Sequence, residues 1–555
     1  MPSSLRRSPR ALLALLALLA CGDDGTAEPD TLGPTAPTRP PTDATVPEPG
    51  TTQGQPTGDT TLGGTDGATD TGSSATTTGP VFPTGPDDTG ETGSFDMCKV
   101  ADDMNAVAPC NDMAPPNSFE PDIQWAWPGQ DGDTQIVATP AVANLTDDNG
   151  DGAIDLCDVP DIVVHAYPGP MFLNYVGNLY VLDGATGVVH YKVSNVSSTT
   201  YPAIADIDGD GLPEILTGRI TDTGNQTGNL VALEHDGTEK WASSTVYSLA
   251  GAAIAVADID HDGDVEIVHH GYVFDHTGAL LWSTVASQED YVNTIADLDG
   301  DDNMEVILGN TAYRHDGTPY YALEIEHGHP QVADLDADGQ PEVLVVSEGG
   351  LSLIEHDGTL TYNNQPTADW QPAAIHDFDG DMQPEIAVGS GTAFQVLETD
   401  LTAKWSAPIQ DGSGFASSTA FDFLGDGTAE AMYADEVSLF VFGDAGQILM
   451  TSPRSSFTQW ELPIVVDVDN DASAEILVVS NLGYMGSTAP PLQVLRDKLD
   501  RWIPARRIWN QHTYHVTNVR EDATVPQFEP RSWQQLNTFR TQAQIAYGGI
   551  CQPIP

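Results

Sequence analysis

The chain has 555 residues, with 82 Asp and Glu against 19 Lys and Arg, a formal net charge of −63. That balance argues against nucleic acid as a partner, because phosphate contacts need a positive surface, and points to cations that relieve the self-repulsion of a compact acidic fold. Length alone permits several domains, but the first fifth lacks the apolar residues of a core, so less of the chain is folded than its length implies.

In chain order, residues 1–21 carry Arg6, Arg7 and Arg10, then the apolar run ALLALLALLA, then Cys21. A charged start followed by a short apolar run is an export signal, and the run is too short for a permanent transmembrane helix. Leu18-Leu19-Ala20-Cys21 resembles the bacterial lipobox. The resemblance implies acylation of Cys21 and a lipid-anchored place on the bacterial envelope, at the outer membrane or cell surface; the alternative is ordinary cleavage and secretion. Arg6-Arg7 lacks the apolar residues that would follow it in a twin-arginine signal, so the general route is expected.

Residues 22–95 are Thr, Gly, Pro, Asp and Ser with almost no large apolar side chain, as in TLGGTDGATDTGSSATTTGP. Such a segment cannot bury enough surface to offset its ordering entropy and is expected to be a disordered tether. A Cys-containing lead-in follows over 96–134. With Cys21 lipidated, Cys98, Cys110, Cys157 and Cys551 remain. Four cysteines suit two disulfides in an oxidising compartment, and three connectivities are open. One option pairs Cys98 with Cys110 and leaves Cys157 for Cys551.

From 135 to 506 an acidic segment recurs at intervals of roughly 40 to 50 residues, a period of solenoids or propeller blades. Its copies start at Asp206 (DIDGDGLPEI), Asp258, Asp297, Asp334, Asp377, Asp422 and Asp467. A further, expanded copy lies in PAVANLTDDNGDGAIDLCDVPDIVV, where Asn144 aligns with Asp206 and Asp161 with Glu214. Each copy sits between two apolar strands and is followed by a third strand, an Asp-Gly-like turn and a fourth strand with an aromatic residue, such as Trp241, Trp282 or Trp405. Eight such units predict an all-β fold, a β-propeller of eight four-stranded repeats, with seven blades plus one detached unit as the alternative.

The D-x-D-x-D-G-x-x-E/D loops between apolar strands resemble the FG-GAP (VCBS-type) repeats of integrin-like β-propellers. That resemblance covers residues 135–506 and implies that position 7 of each loop adds a backbone carbonyl to the ligand set.

Carboxylates at positions 1, 3, 5 and 9, with a glycine at 6 for a sharp turn, cluster hard oxygens in the way Ca²⁺ takes them, and several mainly structural Ca²⁺ sites are therefore expected. Three sets are complete: Asp206, Asp208, Asp210 and Glu214; Asp258, Asp260, Asp262 and Glu266; Asp334, Asp336, Asp338 and Glu342. Asp297, Asp299, Asp301 and Glu305 have Asp302 in place of the glycine. Met382 strains the turn of Asp377, Asp379, Asp381 and Glu385, and Ala472 that of Asp467, Asp469, Asp471 and Glu475. At Asp422 the second ligand is replaced by Leu424, so little or no binding is expected there. In the expanded unit Asp147, Asn149, Asp151, Asp155 and Asp158 fall at positions 1, 3, 5, 9 and 12 of an EF-hand-like loop that lacks flanking helices.

Leu182-Asp183-Gly184-Ala185-Thr186-Gly187 resembles a turn of quinone-dependent dehydrogenase propellers but reads as a hairpin turn. The tail, 507–555, is basic and aromatic and is expected to pack on the propeller, its arginines offsetting the acidic face. Trp509, His512 and His515 could instead line a site or, with a third ligand, hold a transition metal. The expected function is non-enzymatic: an envelope-anchored, calcium-binding propeller that binds a protein or glycan in adhesion. The rival is a propeller enzyme, a polysaccharide lyase or a dehydrogenase, with His329, His376, His512 and His515 as scattered candidates.

Overall fold

The computed structural model describes residues 113–546 and 549–550, apart from short internal segments at 170–173, 250, 285–291, 348, 364–369, 413–415, 458–460 and 482–488. Cys21, the tether, Cys98, Cys110 and Cys551 lie outside the described residues. Cys157 is disulfide-bonded, and its partner is also outside them. No helix among the described residues is long and apolar enough to cross a membrane.

Eight antiparallel sheets form a propeller, with none of the eight units detached. Blade two shows the plan. Ala203–Ala205, Glu214–Asp222, Thr227–Leu233 and Glu239–Ala242 pair in sequence order from the axis outwards. Their lengths follow the alternation of apolar residues, and the inner strand, AIA, is buried on both faces. Blade one begins at Asp133–Gln135 and Ala141–Ala143, and blade eight at Ile464–Val466.

Blade eight takes its outer strand from the other end of the folded region. Pro121–Trp127 pairs antiparallel with Leu492–Asp497, matching Ile123 to Leu495 and Trp125 to Val494. The segment read from sequence as a lead-in therefore closes the ring, and the propeller starts at 121 rather than 135. Closure in this way removes the two open sheet edges that a linear stack would expose.

The apolar cores lie between blades, because a single sheet cannot bury its own faces. Leu216, Leu230 and Ala232 of blade two meet Ile254, Val256 and Ile267 of blade three in one cluster, and every neighbouring pair repeats the arrangement. On the outside, the aromatic residue of one blade packs over the hairpin glycine of the next. A Cβ on Gly278, which has φ +80°, would lie 2.5 Å from the Trp241 ring, and Trp241 Nε1 donates to the His276 carbonyl at 2.9 Å. Gly317 stands likewise under Trp282, Gly446 under Trp405 and Gly187 under Trp125. The Asp183–Gly187 turn is thus the hairpin turn of blade one, sealed by the closing strand.

The tail does more than rest on the surface. Trp509 and Val142 exchange backbone hydrogen bonds in blade one, and the Asn510 and Gln511 oxygens accept from Ile204 and Val256 in blades two and three. Arg531 meets Asp297 in blade four at 2.7 Å, and Asn537 accepts from the Asp334 N–H in blade five. Phe539 bridges to Ile375 in blade six, the Arg540 carbonyl accepts from Thr419 in blade seven, and Gln542 donates to Val465 in blade eight. One segment thus ties the inner strands or inner loops of all eight blades. Trp509, Arg506, Arg507, Tyr514 and Arg540 are fully buried in it.

Candidate metal centres

Each acidic loop joins the first strand of a blade to the second. The loop at Asp206 is held by its own carboxylates. Asp206 accepts from the N–H groups of Gly209 at 2.8 Å and Gly211 at 3.0 Å, and Asp210 accepts from Leu212 at 2.9 Å. Glu214, on the second strand, accepts from the Ile207 N–H at 3.0 Å through one oxygen and from Lys240 Nζ at 2.9 Å through the other. The Glu-to-position-2 hydrogen bond recurs at Glu266, Glu305, Glu342, Glu385, Glu430 and Glu475. Asp161 makes it to Leu145 at 2.8 Å, which confirms the alignment of the expanded unit with the others.

Position 6 is left-handed throughout, at Gly211, Gly263, Gly339, Asp302 (φ +74°), Met382 (+67°) and Ala472 (+68°), so the last two carry backbone strain where the spacing placed it. A second left-handed position, four residues into the loop, was missed. Gly209, Gly300, Gly380 and Gly425 occupy it, but so do His261, Ala337 and Asn470. The recurring glycine there is the signal that sequence reading could have used.

Six loops carry all four carboxylates, with position 9 buried in each, position 1 buried except at the half-buried Asp334 and Asp377, and 3 and 5 nearer solvent. Oxygens within 4.8 Å of one another occur in the groups Asp377, Asp379, Asp381, Glu385; Asp206, Asp208, Asp210; Asp258, Asp260, Asp262; and Asp297, Asp299, Glu305. Burial, followed by the neighbouring carboxylates, pushes Glu266, Glu305 and Glu342 up to about 8. Glu214 and Glu385, each near a lysine, rise to about 7. Burial, with the neighbouring carboxylates, also raises Asp467 and Glu475 in blade eight.

The donor set fits a hard cation on one specific observation. Asp258 Oδ1, Glu342 Oε1, Glu385 Oε1, Asp467 Oδ1 and Glu475 Oε1 are buried and lack a hydrogen-bond donor among the described residues. A buried carboxylate oxygen left without a partner costs free energy that a coordinated cation removes. Such an ion would be held by the position 1, 3, 5 and 9 carboxylates and would neutralise their mutual repulsion.

Two loops depart from the plan. At Asp422 the backbone hydrogen bonds to Gly425 and Gly427 persist, but Leu424 is buried against Trp502 and Ile503, so packing holds this turn. In the expanded loop Asp147, Asn149 and Asp151 cap backbone N–H groups at its tip. Asp158, at position 12, accepts from Asp148, Asn149 and Asp155, so backbone donors use both its oxygens. Beside it Asp148, Asp161 and His190 form a separate group, with His190 Nε2 at 3.1 Å from Asp161.

The tail histidines do not converge. His515 pairs with Glu529 at 2.6 Å, whereas the His512 ring lies against Tyr201 with centroids 4.4 Å apart. Trp509 stacks on Tyr514 at 4.5 Å. His329 is buried near His512, and His376 hydrogen-bonds the Asp377 carbonyl at 3.3 Å. Of the arginines, Arg531 offsets the acidic loop at Asp297, and Arg507, which donates to Glu521, the Leu156 carbonyl and Asn470 Oδ1, offsets Asp467 in the loop of blade eight. Arg506 instead donates to the carbonyls of Val516 and Val519.

Comparison with known proteins supports the repeat and the ring. Residues 206–269 match the FG-GAP-like repeat family, a span that starts at the first acid of blade two and ends with the second strand of blade three. No curated protein matches the chain. Among solved structures, the V. cholerae biofilm matrix protein Bap1 superposes with a TM-score of 0.67 at 21% identity, covering 79% of this chain and 100% of that one. The exotype rhamnogalacturonan lyase YesX reaches 0.48 at 16% identity, over 70% and 75% of the two chains. The rhamnogalacturonan lyase PL11 of Bacillus licheniformis reaches 0.47 at 15% identity, over 80% and 81%. The likeness to Bap1 is one of fold, and the lyase scores are too low to bear on activity. The chain is an eight-bladed β-propeller in which residues 206–269 match an FG-GAP-like repeat.

Proposed function

We propose that this protein is a non-enzymatic binding module whose propeller is stabilised by Ca²⁺ and held on a bacterial envelope by a lipid on Cys21. The observation that carries the metal reading is the set of buried, donorless carboxylate oxygens in the acidic loops, at Asp258, Glu342, Asp467 and Glu475 among others. Each lies in a loop whose backbone is already hydrogen-bonded, so the remaining oxygens are free to coordinate. Calcium bound there turns binding energy into folding energy.

A role in adhesion, with a protein or glycan as ligand, is in keeping with the fold that the chain shares with a biofilm matrix protein. It also suits a propeller whose inner strands are tied together by its own tail, leaving the outer surfaces and loops to meet a partner. The test is thermal unfolding of the full chain in EDTA and in millimolar CaCl₂, followed by a glycan and envelope-protein binding screen under both conditions. A reversible calcium-dependent rise in melting temperature supports the proposal. A melting temperature indifferent to chelator and calcium refutes the metal reading, and turnover of a polysaccharide or alcohol substrate would favour the enzyme.

A further inference from the structure

The outermost strand of every blade carries a bulge whose extra residue falls at the same place each time; blade one has a second, at Asn195. The shared bulge residue is His190, Lys240, Leu281, Tyr320, Thr361, Lys404, Leu449 and, in the closing strand, Gln124. A bulge turns one side chain out of the ladder and re-aims it. In four blades that side chain reaches the acidic loop. His190 meets Asp161 at 3.1 Å, and Gln124 donates to Asp469 at 2.5 Å. Lys240 Nζ lies 2.6 Å from Asp208, 2.9 Å from Glu214 Oε1 and 3.3 Å from Glu234. Lys404 pairs with Asp379, with Glu398 at 3.2 Å, and stands 3.9 Å from Glu385 Oε1.

We propose that the bulge residue decides what neutralises each loop, and that the ammonium groups of Lys240 and Lys404 take, in blades two and six, the place of the divalent cation in blades three and five. This rests on the reading that the loops at Asp258 and Asp334 hold calcium. Lys240 bridges position 3 and position 9, two of the carboxylates an ion would need, and its three N–H donors have three carboxylate acceptors. The ammonium is built into the blade, so it competes at a high effective concentration and has no entropy of association left to lose. Blades three and five offer no such cation: their bulge residues are Leu281, which is half exposed, and Thr361, whose hydroxyl donates to the Leu353 carbonyl. There Asp258 Oδ1 and Glu342 Oε1 have neither a donor nor a lysine beside them among the described residues. Glu214 Oε1, by contrast, accepts from Lys240, and Glu385 Oε1, though without a donor, has the Lys404 ammonium 3.9 Å away as counter-charge. The most regular acidic loop in the sequence, at Asp206, is therefore one that needs no metal. Blades two and six stand opposite each other in the ring of eight.

The full chain is crystallised with CaCl₂ for anomalous scattering, and calcium stoichiometry is measured by titration calorimetry on it and on Lys240→Met and Lys404→Met. The expected result is calcium at blades three and five, none at two and six, and roughly one further ion per chain for each lysine removed. Calcium in blade two or six of the parent, with the lysine swung out, overturns the proposal. So does an unchanged stoichiometry in variants that fold. If the parent binds no calcium but the variants do, the reading of blades three and five fails while the lysine assignment stands. If a variant does not fold even in calcium, the parent's occupancy pattern decides.

Discussion

Glu342→Gln is expected to change the sign of its effect on stability with the metal. In blade five Glu342 is buried, accepts the Leu335 N–H at 2.6 Å through one oxygen and leaves the other without a donor. Burial, then Asp336, Glu355 and Asp334, push its carboxyl up to about 8 from 4.5. A raised carboxyl is stabilising to the fold while protonated. Metal-free stability should therefore be highest below pH 4.5 and fall as pH rises through about 8. At about 1.4 kcal/mol per pH unit across that span the ceiling is about 5 kcal/mol, and relaxation and water leave on the order of 2 kcal/mol. Gln keeps the acceptor for Leu335 and removes the charge, so in EDTA at pH 9 the variant should be more stable than the parent by that amount. In calcium the same change removes a ligand, and the variant should be less stable and lose part of the calcium-induced shift. Urea unfolding at pH 5 and pH 9, with EDTA and with CaCl₂, gives the four comparisons. A variant as destabilised in EDTA at pH 9 as in calcium would refute the reasoning, since Glu342 would then be an ordinary structural hydrogen-bonding group.

Gly278→Ala should destabilise by roughly 1–3 kcal/mol, because the methyl group would stand 2.5 Å from the Trp241 ring at φ +80°, where an L side chain is already strained; denaturant unfolding reads this directly, and Gly339→Ala, whose Cβ meets nothing within 4 Å, isolates the φ cost. Trp509→Ala removes a fully buried ring stacked on Tyr514, and a loss of about 3–5 kcal/mol is expected, visible as a lower urea midpoint. Deleting residues 121–127 strips the outer strand of blade eight and uncovers Leu492–Asp497, so the product should aggregate or run as an open, protease-sensitive chain on size exclusion. Leu424→Asp restores the missing second ligand at Asp422 but buries a charge between Trp502 and Ile503, and should lower stability without adding a calcium ion in calorimetry.

Much of this protein was determined locally and could be read as such. The loop ligands sit a fixed number of residues apart on one short turn, so spacing alone placed Asp206 beside Glu214, predicted the left-handed strain at Met382 and Ala472, and counted eight blades from eight acidic units. What escaped depended on partners far along the chain. Pro121–Trp127 joins a strand some 370 residues later because ring closure, not local propensity, buries its edge. The tail crosses all eight blades because its few backbone groups find partners at inner loops that only the ring brings together. Whether a carboxylate cluster faces a lysine was likewise hidden: Lys240 lies 26 residues from Glu214, and a bulge on the outer strand aims it there. Sequence fixed the charges of each loop through the chain's own short geometry, and the packing of strands against one another chose which of those charges already have a counter-ion.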